Sequence, residues 1–237
     1  MEQHRKRFGP FFPPFISLCT SHFLLSYLQL SLDRWVFQSS QEKTFFNYFS
    51  FGVDAAVVNR LQQIRSLYPF LFHFPSINNL WYAWCIILEA LFPMNANLNR
   101  LALKADDEEL SVSQYRSVVC LNIPYYCGGG LPLGDHYDLS QCCDQEIEIV
   151  AFSGIIHILA AKFGLRKGIL LKRARKIEWK LDRECPVQAD GEAWIEPSGC
   201  GEVRSASSLV AMIIKGLRLN EIEMVCLCVI NEKGWVL

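Results

Sequence analysis

The sequence predicts an α+β fold, mainly an antiparallel β-sandwich with a few helices packed on one side or end, and three observations point there. Ile177, Trp179 and Leu181 alternate with Lys176, Glu178, Lys180 and Asp182, the period-2 pattern of a strand with one face in water. After Asp54, the apolar Val57, Leu61 and Ile64 recur at helical spacing with Arg60, Gln62, Gln63 and Arg65 filling the other faces, as in an amphipathic helix packed on a sheet. The second half then turns towards strands: Ile147, Ile149 and Ala151 alternate with Glu146, Glu148 and Val150.

The remaining elements follow in order. The chain has 237 residues, 51% of them hydrophobic, enough to bury one substantial domain. Residues 1–30 form an atypical segment: His4 to Arg7 are basic, residues 10–15 are rich in Pro and Phe, and Phe15 to Leu32 carries no formal charge apart from His22. That charge order suits a targeting segment or a membrane anchor over residues 10–32, or an irregular stretch. A single domain is expected over residues 31–215 and an extension over residues 216–237, either an extra strand or a tail. Phe45 to Phe51 is aromatic and β-prone, and Gly52 breaks it. Leu80 to Leu91 is apolar on nearly every side and predicts a buried helix. Ser117 to Ile123 reads as a short strand, and Gly154 to Phe163 as a helix.

Charge and cysteine usage narrow the function classes. Lys+Arg of 23 against Asp+Glu of 24 gives no reason to expect a nucleic-acid partner. The ten cysteines include the adjacent Cys142 and Cys143 but no Cys-x-x-Cys pair; they read as small apolar residues of a reducing compartment. Among the acids, Asp190-Gly191 is a hairpin-turn signal, Asp54 suits a helix N-cap, and Asp144 lies in a loop before a strand. His157 lies in an apolar stretch and reads as a core histidine. Arg166, Lys167, Lys172, Arg173, Arg175 and Lys176 form a basic cluster, either a solvated face or a contact for anionic headgroups.

Several separated segments resemble one family in the right order. Leu32-Asp33-Arg34-Trp35, Asn47 to Ala55, Asn79-Leu80-Trp81-Tyr82, Leu121-Asn122-Ile123-Pro124 and Asp144 to Val150 are similar to successive blocks of the accessory, C-terminal domain of eukaryotic diacylglycerol kinases. The most specific block is Pro186-Val187-Gln188-Ala189-Asp190-Gly191-Glu192-Ala193-Trp194, which follows the family's Pro-Met-Gln-Val-Asp-Gly-Glu-Pro-Trp. Asn79 stands where a Lys is usual, Leu133 where a Trp is, and Gln145 where a Gly is.

The resemblance implies the second lobe of a diacylglycerol kinase-type lipid kinase, acting on diacylglycerol and ATP to form phosphatidic acid and ADP. It implies Glu192 as general base for the attacking hydroxyl, with Asp190 beside it orienting the turn or a water, and a structural magnesium near Asp144. ATP and magnesium belong to the complete enzyme. The family's phosphate-binding Gly-Gly-Asp-Gly-Thr string does not occur in this sequence, so the chain is expected to be inactive without a nucleotide-binding catalytic lobe as partner. The expected surroundings are the cytoplasm and the membrane surface that holds diacylglycerol. A non-catalytic lipid-binding or regulatory module is the alternative, and a kinase of sphingoid bases or ceramide is a weaker one.

Overall fold

The aromatic run from Phe45 to Phe51 is split between two sheets in the computed structural model, which describes residues 25–39, 41–72, 75–93, 98–134, 139–216, 225–231 and 234–236. In chain order the strands and helices are β1 Leu25–Gln38, β2 Glu42–Phe45, β3 Tyr48–Gly52, α1 Val53–Leu67, α2 Pro75–Leu91, β4 Leu101–Ala105, β5 Glu108–Leu110, β6 Ser117–Leu121, β7 Ile147–Phe152, α3 Ile155–Lys162, β8 Ile169–Ala174, β9 Lys176–Leu181, β10 Cys185–Ala189, β11 Glu192–Glu196, β12 Gly199–Gly216, β13 Val225–Asn231 and β14 Gly234–Val236. The first sheet runs β14-β13-β12-β9-β4-β5, with β1 paired to both β12 and β2; the second runs β11-β10-β3-β6-β7-β8. Every ladder is antiparallel. The fold is therefore the α+β arrangement of antiparallel sheets and helices that the periodicities predict.

The alternation of each strand decides what the sheets bury. Trp35, Phe37, Leu103, Ile177 and Trp179 of the first sheet meet Phe49, Phe51, Val118, Cys120, Ile149 and Val187 of the second in one core. Phe37 sits at its centre, stacked on Phe49 at 4.6 Å and on Trp179 at 5.1 Å. Each such side chain taken out of water contributes about 1.5–3 kcal/mol. The intervening residues of the second sheet, Val119, Leu121, Val150 and Phe152, form another core with Ile158 and Ala161 of α3 and Val53 and Ala56 of α1. Covered on both faces, β6, β7 and β10 are buried along their whole lengths. By contrast, β9 alternates exposed and buried residues as its charges require.

Several expectations change. Asp54 does not cap α1; Gly52 holds that position, at φ 111°, with no side-chain cap. A Cβ there would lie 2.3 Å from the Arg116 carbonyl oxygen, so only glycine lets β3 turn directly into the helix. The helix over Leu80 to Leu91 forms within α2, but it is not buried all round, because α2 packs on α1 and leaves Leu80 and Leu91 largely, and Trp84 and Ile87 about half, in water. Its sequestered side is polar as well: Glu89, 2% exposed, accepts the Nε–H of Arg60 at 2.8 Å.

At the N-terminus, residues 25–32 of the expected anchor belong to β1, which pairs with β12 from Leu25↔Gly216 to Gln38↔Glu202. Residues 1–24 lie outside the described residues, and no described helix is long and apolar enough to cross a membrane. The boundaries at 31 and 216 both fall against strands of this one ladder, and past 216 β13 and β14 extend the same sheet.

Candidate functional site

Asp190 and Gly191 join β10 to β11 with φ of 48° and 86°. Positive φ at both central residues is what Asp-Gly tolerates best in a two-residue hairpin. The Asp190 carboxylate reaches out of this turn and accepts the backbone N–H groups of Phe46, Asn47 and Tyr48 at 2.7, 2.8 and 3.0 Å. Those three residues carry the chain from β2 in the first sheet to β3 in the second, and the Asp190 N–H closes the contact by donating to the Tyr48 carbonyl at 3.0 Å. Burial pushes the Asp190 carboxyl above its usual range, against the pull of its N–H donors. Asp190 thus holds the hairpin to the crossover, with both oxygens occupied.

Glu192, the first residue of β11, is different. Its carboxylate is exposed and makes no hydrogen bond or ion pair among the described residues. The backbone beneath it is held from α1: Gln62 donates from Nε2 to the Gly191 carbonyl at 3.2 Å and accepts the Ala193 N–H on Oε1 at 3.3 Å. Strand alternation places Glu192 on the same face of β11 as Trp194 and Glu196. The Trp194 ring meets Phe37 edge-on at 5.7 Å and donates its Nε1–H to Glu196 at 2.7 Å. Glu196 also accepts from Ser39. The result is a carboxylate with free lone pairs on a fixed hairpin, which is what a proton acceptor needs.

Neither periodicity nor motif reveals the polar centre under α1. Asp54, 3% exposed, accepts from Ser50 Oγ, from Ser117 Oγ at 2.5 Å, from Tyr126 Oη at 2.7 Å and from Gln188 Nε2 at 2.7 Å. Two carboxylate oxygens offer about four acceptor sites, so this acid is saturated. Asn122 plays a similar part at the crossover, accepting the Trp35 Nε1–H at 3.0 Å and donating to the carbonyls of Asp33 at 2.9 Å and Phe46 at 2.6 Å.

Residues 44–193, more than half of the chain, match the family model described as "Diacylglycerol kinase accessory domain". The chain belongs to this family. It is 26% identical over 188 residues to diacylglycerol kinase eta of Drosophila melanogaster, covering 76% of this chain and 9% of that protein. With diacylglycerol kinase delta of Mus musculus the identity is 27% over 161 residues, covering 65% and 13%. The chain thus spans a small fraction of the length of these relatives. Among solved structures, a putative diacylglycerol kinase from Bacillus anthracis str. Sterne aligns over 74% of this chain and 55% of its own, with a TM-score of 0.43 and 18% identity.

Elsewhere in this accessory domain the expected sites fare unevenly. Asp144 accepts the Glu146 N–H at 2.9 Å and is paired with the Arg173 guanidinium, which Glu146 and Glu148 also approach, at 3.5 and 3.0 Å. An arginine already supplies the positive charge at the centre of this acidic group, so its residues do not fit magnesium. Among the described residues no group of three or more His, Cys, Asp and Glu side chains is arranged to hold a metal. His157 is buried, bonded through Nδ1 to Ser153 at 3.2 Å and through Nε2 to the Lys167 carbonyl at 2.8 Å. A cleft of about 700 Å³ lies along the first sheet, between Gln38, Leu103, Glu178 and Gly201; none of the expected site residues lines it.

Proposed function

We propose that this chain forms the acceptor-side lobe of a diacylglycerol kinase, presenting the primary hydroxyl of diacylglycerol for attack on the γ-phosphate of ATP held by a separate nucleotide-binding lobe. The observation that carries this reading is the contrast at the Asp-Gly-Glu hairpin. Asp190 is consumed in holding the turn, while Glu192 projects from the same turn with no hydrogen bond or ion pair on its carboxylate among the described residues. In that role Glu192 accepts the hydroxyl proton as the oxygen attacks the γ-phosphorus and the bond from that phosphorus to the bridging oxygen breaks, leaving the carboxylic acid, the phosphorylated lipid and ADP. Phosphoryl transfer asks a protein chiefly for positioning and charge neutralisation, and Gln62 fixes the backbone on either side of Glu192. Because Glu192 is exposed here, its desolvation falls to the facing lobe and the lipid, in keeping with dependence on a catalytic partner.

The test is labelled-phosphate transfer from ATP and magnesium to diacylglycerol in mixed micelles, with a nucleotide-binding lobe supplied in trans. Product is expected only with both lobes, and Glu192→Gln should lower the rate by about a hundredfold or more. An undiminished rate in the variant removes Glu192 as the base. No product in any combination, from folded protein, favours a non-catalytic lipid-binding module instead.

A further inference from the structure

Ile156, Phe163 and Leu165 are 77%, 69% and 80% exposed, gathered on α3 and the turn that follows it. Three cations share this tip: Lys162 on the last turn of the helix, and Arg166 and Lys167 just beyond. None of the three makes an ion pair among the described residues. The rest of the basic cluster behaves otherwise. Lys172 is paired with Glu108 at 2.6 Å, Arg173 with Glu148 at 3.0 Å, Arg175 with Glu146 at 3.4 Å and Lys176 with Glu202 at 3.0 Å. From Ile149 to Ile177 the sequence contains no acidic residue, so no acid close in sequence offsets the tip.

The turn is also held firmly. Gly164, at φ 69°, donates to the Ala161 carbonyl at 3.1 Å, and Leu165 donates to the Ala160 carbonyl at 2.8 Å. Beyond it, His157 engages the Lys167 carbonyl at 2.8 Å and Gly168 donates to the Pro132 carbonyl at 2.7 Å. The backbone therefore fixes apolar side chains in water, where by themselves they cost stability, and rings them with positive charge that has no ion-pair partner among the described residues.

We propose that this tip docks the protein on an anionic lipid bilayer, with Phe163 and Leu165 entering the boundary between headgroups and acyl chains and Lys162, Arg166 and Lys167 at the level of the phosphates. Apolar insertion joined to nearby cations is the combination that binds peripheral proteins to anionic membranes. The assignment deepens the proposed function, resting on it only in that a bilayer holds the acceptor lipid. The tip lies beside β7 and β8, at the far end of the second sheet from β11, so docking and proton transfer occupy separate regions.

The experiment is co-sedimentation of the full chain with vesicles of phosphatidylcholine alone, or of phosphatidylcholine with phosphatidylserine, both lacking diacylglycerol. Binding is expected to the anionic vesicles only and to weaken as salt is raised. Phe163→Ser with Leu165→Ser should lower partitioning by at least about tenfold, and Arg166→Gln with Lys167→Gln by about tenfold. Leu80→Ser with Leu91→Ser, on the exposed face of α2, should leave it unchanged. Circular dichroism would confirm that each variant is folded. Absent binding by the parent, equal binding to neutral vesicles, unchanged binding by the Phe163 and Leu165 variant, or an equal loss in the α2 variant would overturn the assignment. Vesicle binding without kinase activity would sink the proposed function and leave the docking tip standing; activity on micelles without vesicle binding would do the reverse.

Discussion

Asp54 and Asp190 belong to one region of the second sheet and its flanking helix, and Glu192 to another only two residues beyond Asp190, yet their carboxylates are in opposite states. Asp54 takes hydrogen bonds from four side chains, three of them on the strands β3, β6 and β10, and Asp190 takes three from the backbone of the sheet crossover. Neither can accept a substrate proton without surrendering a bond that holds elements together. Glu192 surrenders nothing. Burial alone is therefore a poor guide to chemistry in this domain: buried Asp54 and half-buried Asp190 are joints, while exposed Glu192 is available.

Substitution can break this contrast, and the largest effect is expected at Asp54. Asp54→Ala leaves the donors of Ser50, Ser117, Tyr126 and Gln188 without an acceptor in a closed site, so it should destabilise the fold by more than about 3 kcal/mol in urea unfolding. A loss below about 1 kcal/mol would mean that water or a rearranged network replaces the carboxylate.

Asp190→Ala should cost about 2 kcal/mol by orphaning the N–H groups at the crossover. Its pH dependence sharpens the point. Burial raises the folded carboxyl above the unfolded value of about 4, so the folded state binds this proton more tightly. The stability that protonation contributes is fully present below the unfolded value and is lost as pH rises through the folded one. The advantage of the parent over Asp190→Asn should accordingly narrow as pH rises above about 4; a widening gap would show that the three N–H donors outweigh burial.

Glu192→Gln should produce the smallest change, within about 0.5 kcal/mol of the parent. A larger loss would place Glu192 with the structural acids.

What could be read beforehand divides along physical lines. The α1 helix and the strand β9 were legible because their periodicity is local: Val57, Leu61 and Ile64 for one, Ile177, Trp179 and Leu181 for the other. The Asp190-Gly191 hairpin was legible because its turn chemistry lies in two adjacent residues. The role of Asp54 was not, since its donors come from distant segments and Gly52, required by the Arg116 carbonyl, takes the cap. How the basic cluster divides was hidden for the same reason: Glu108, Asp144, Glu146, Glu148 and Glu202, which neutralise much of it, sit on other strands and loops. Residues 25–30 read as a segment foreign to the domain because nothing local reveals that β12 is their partner.

That partnership shapes how the protein reaches its fold. β1 is flanked by β2, its neighbour in sequence, and by β12, which lies beyond the whole second sheet. The ladder joining β1 to β12 closes a loop containing nearly everything else, so its entropic cost falls early and its reward arrives late. Domains dominated by such distant pairings fold in milliseconds to seconds, not microseconds. Until β12 has left the ribosome, the β12-facing edge of β1 has no native partner, and during synthesis that edge is open to mispairing.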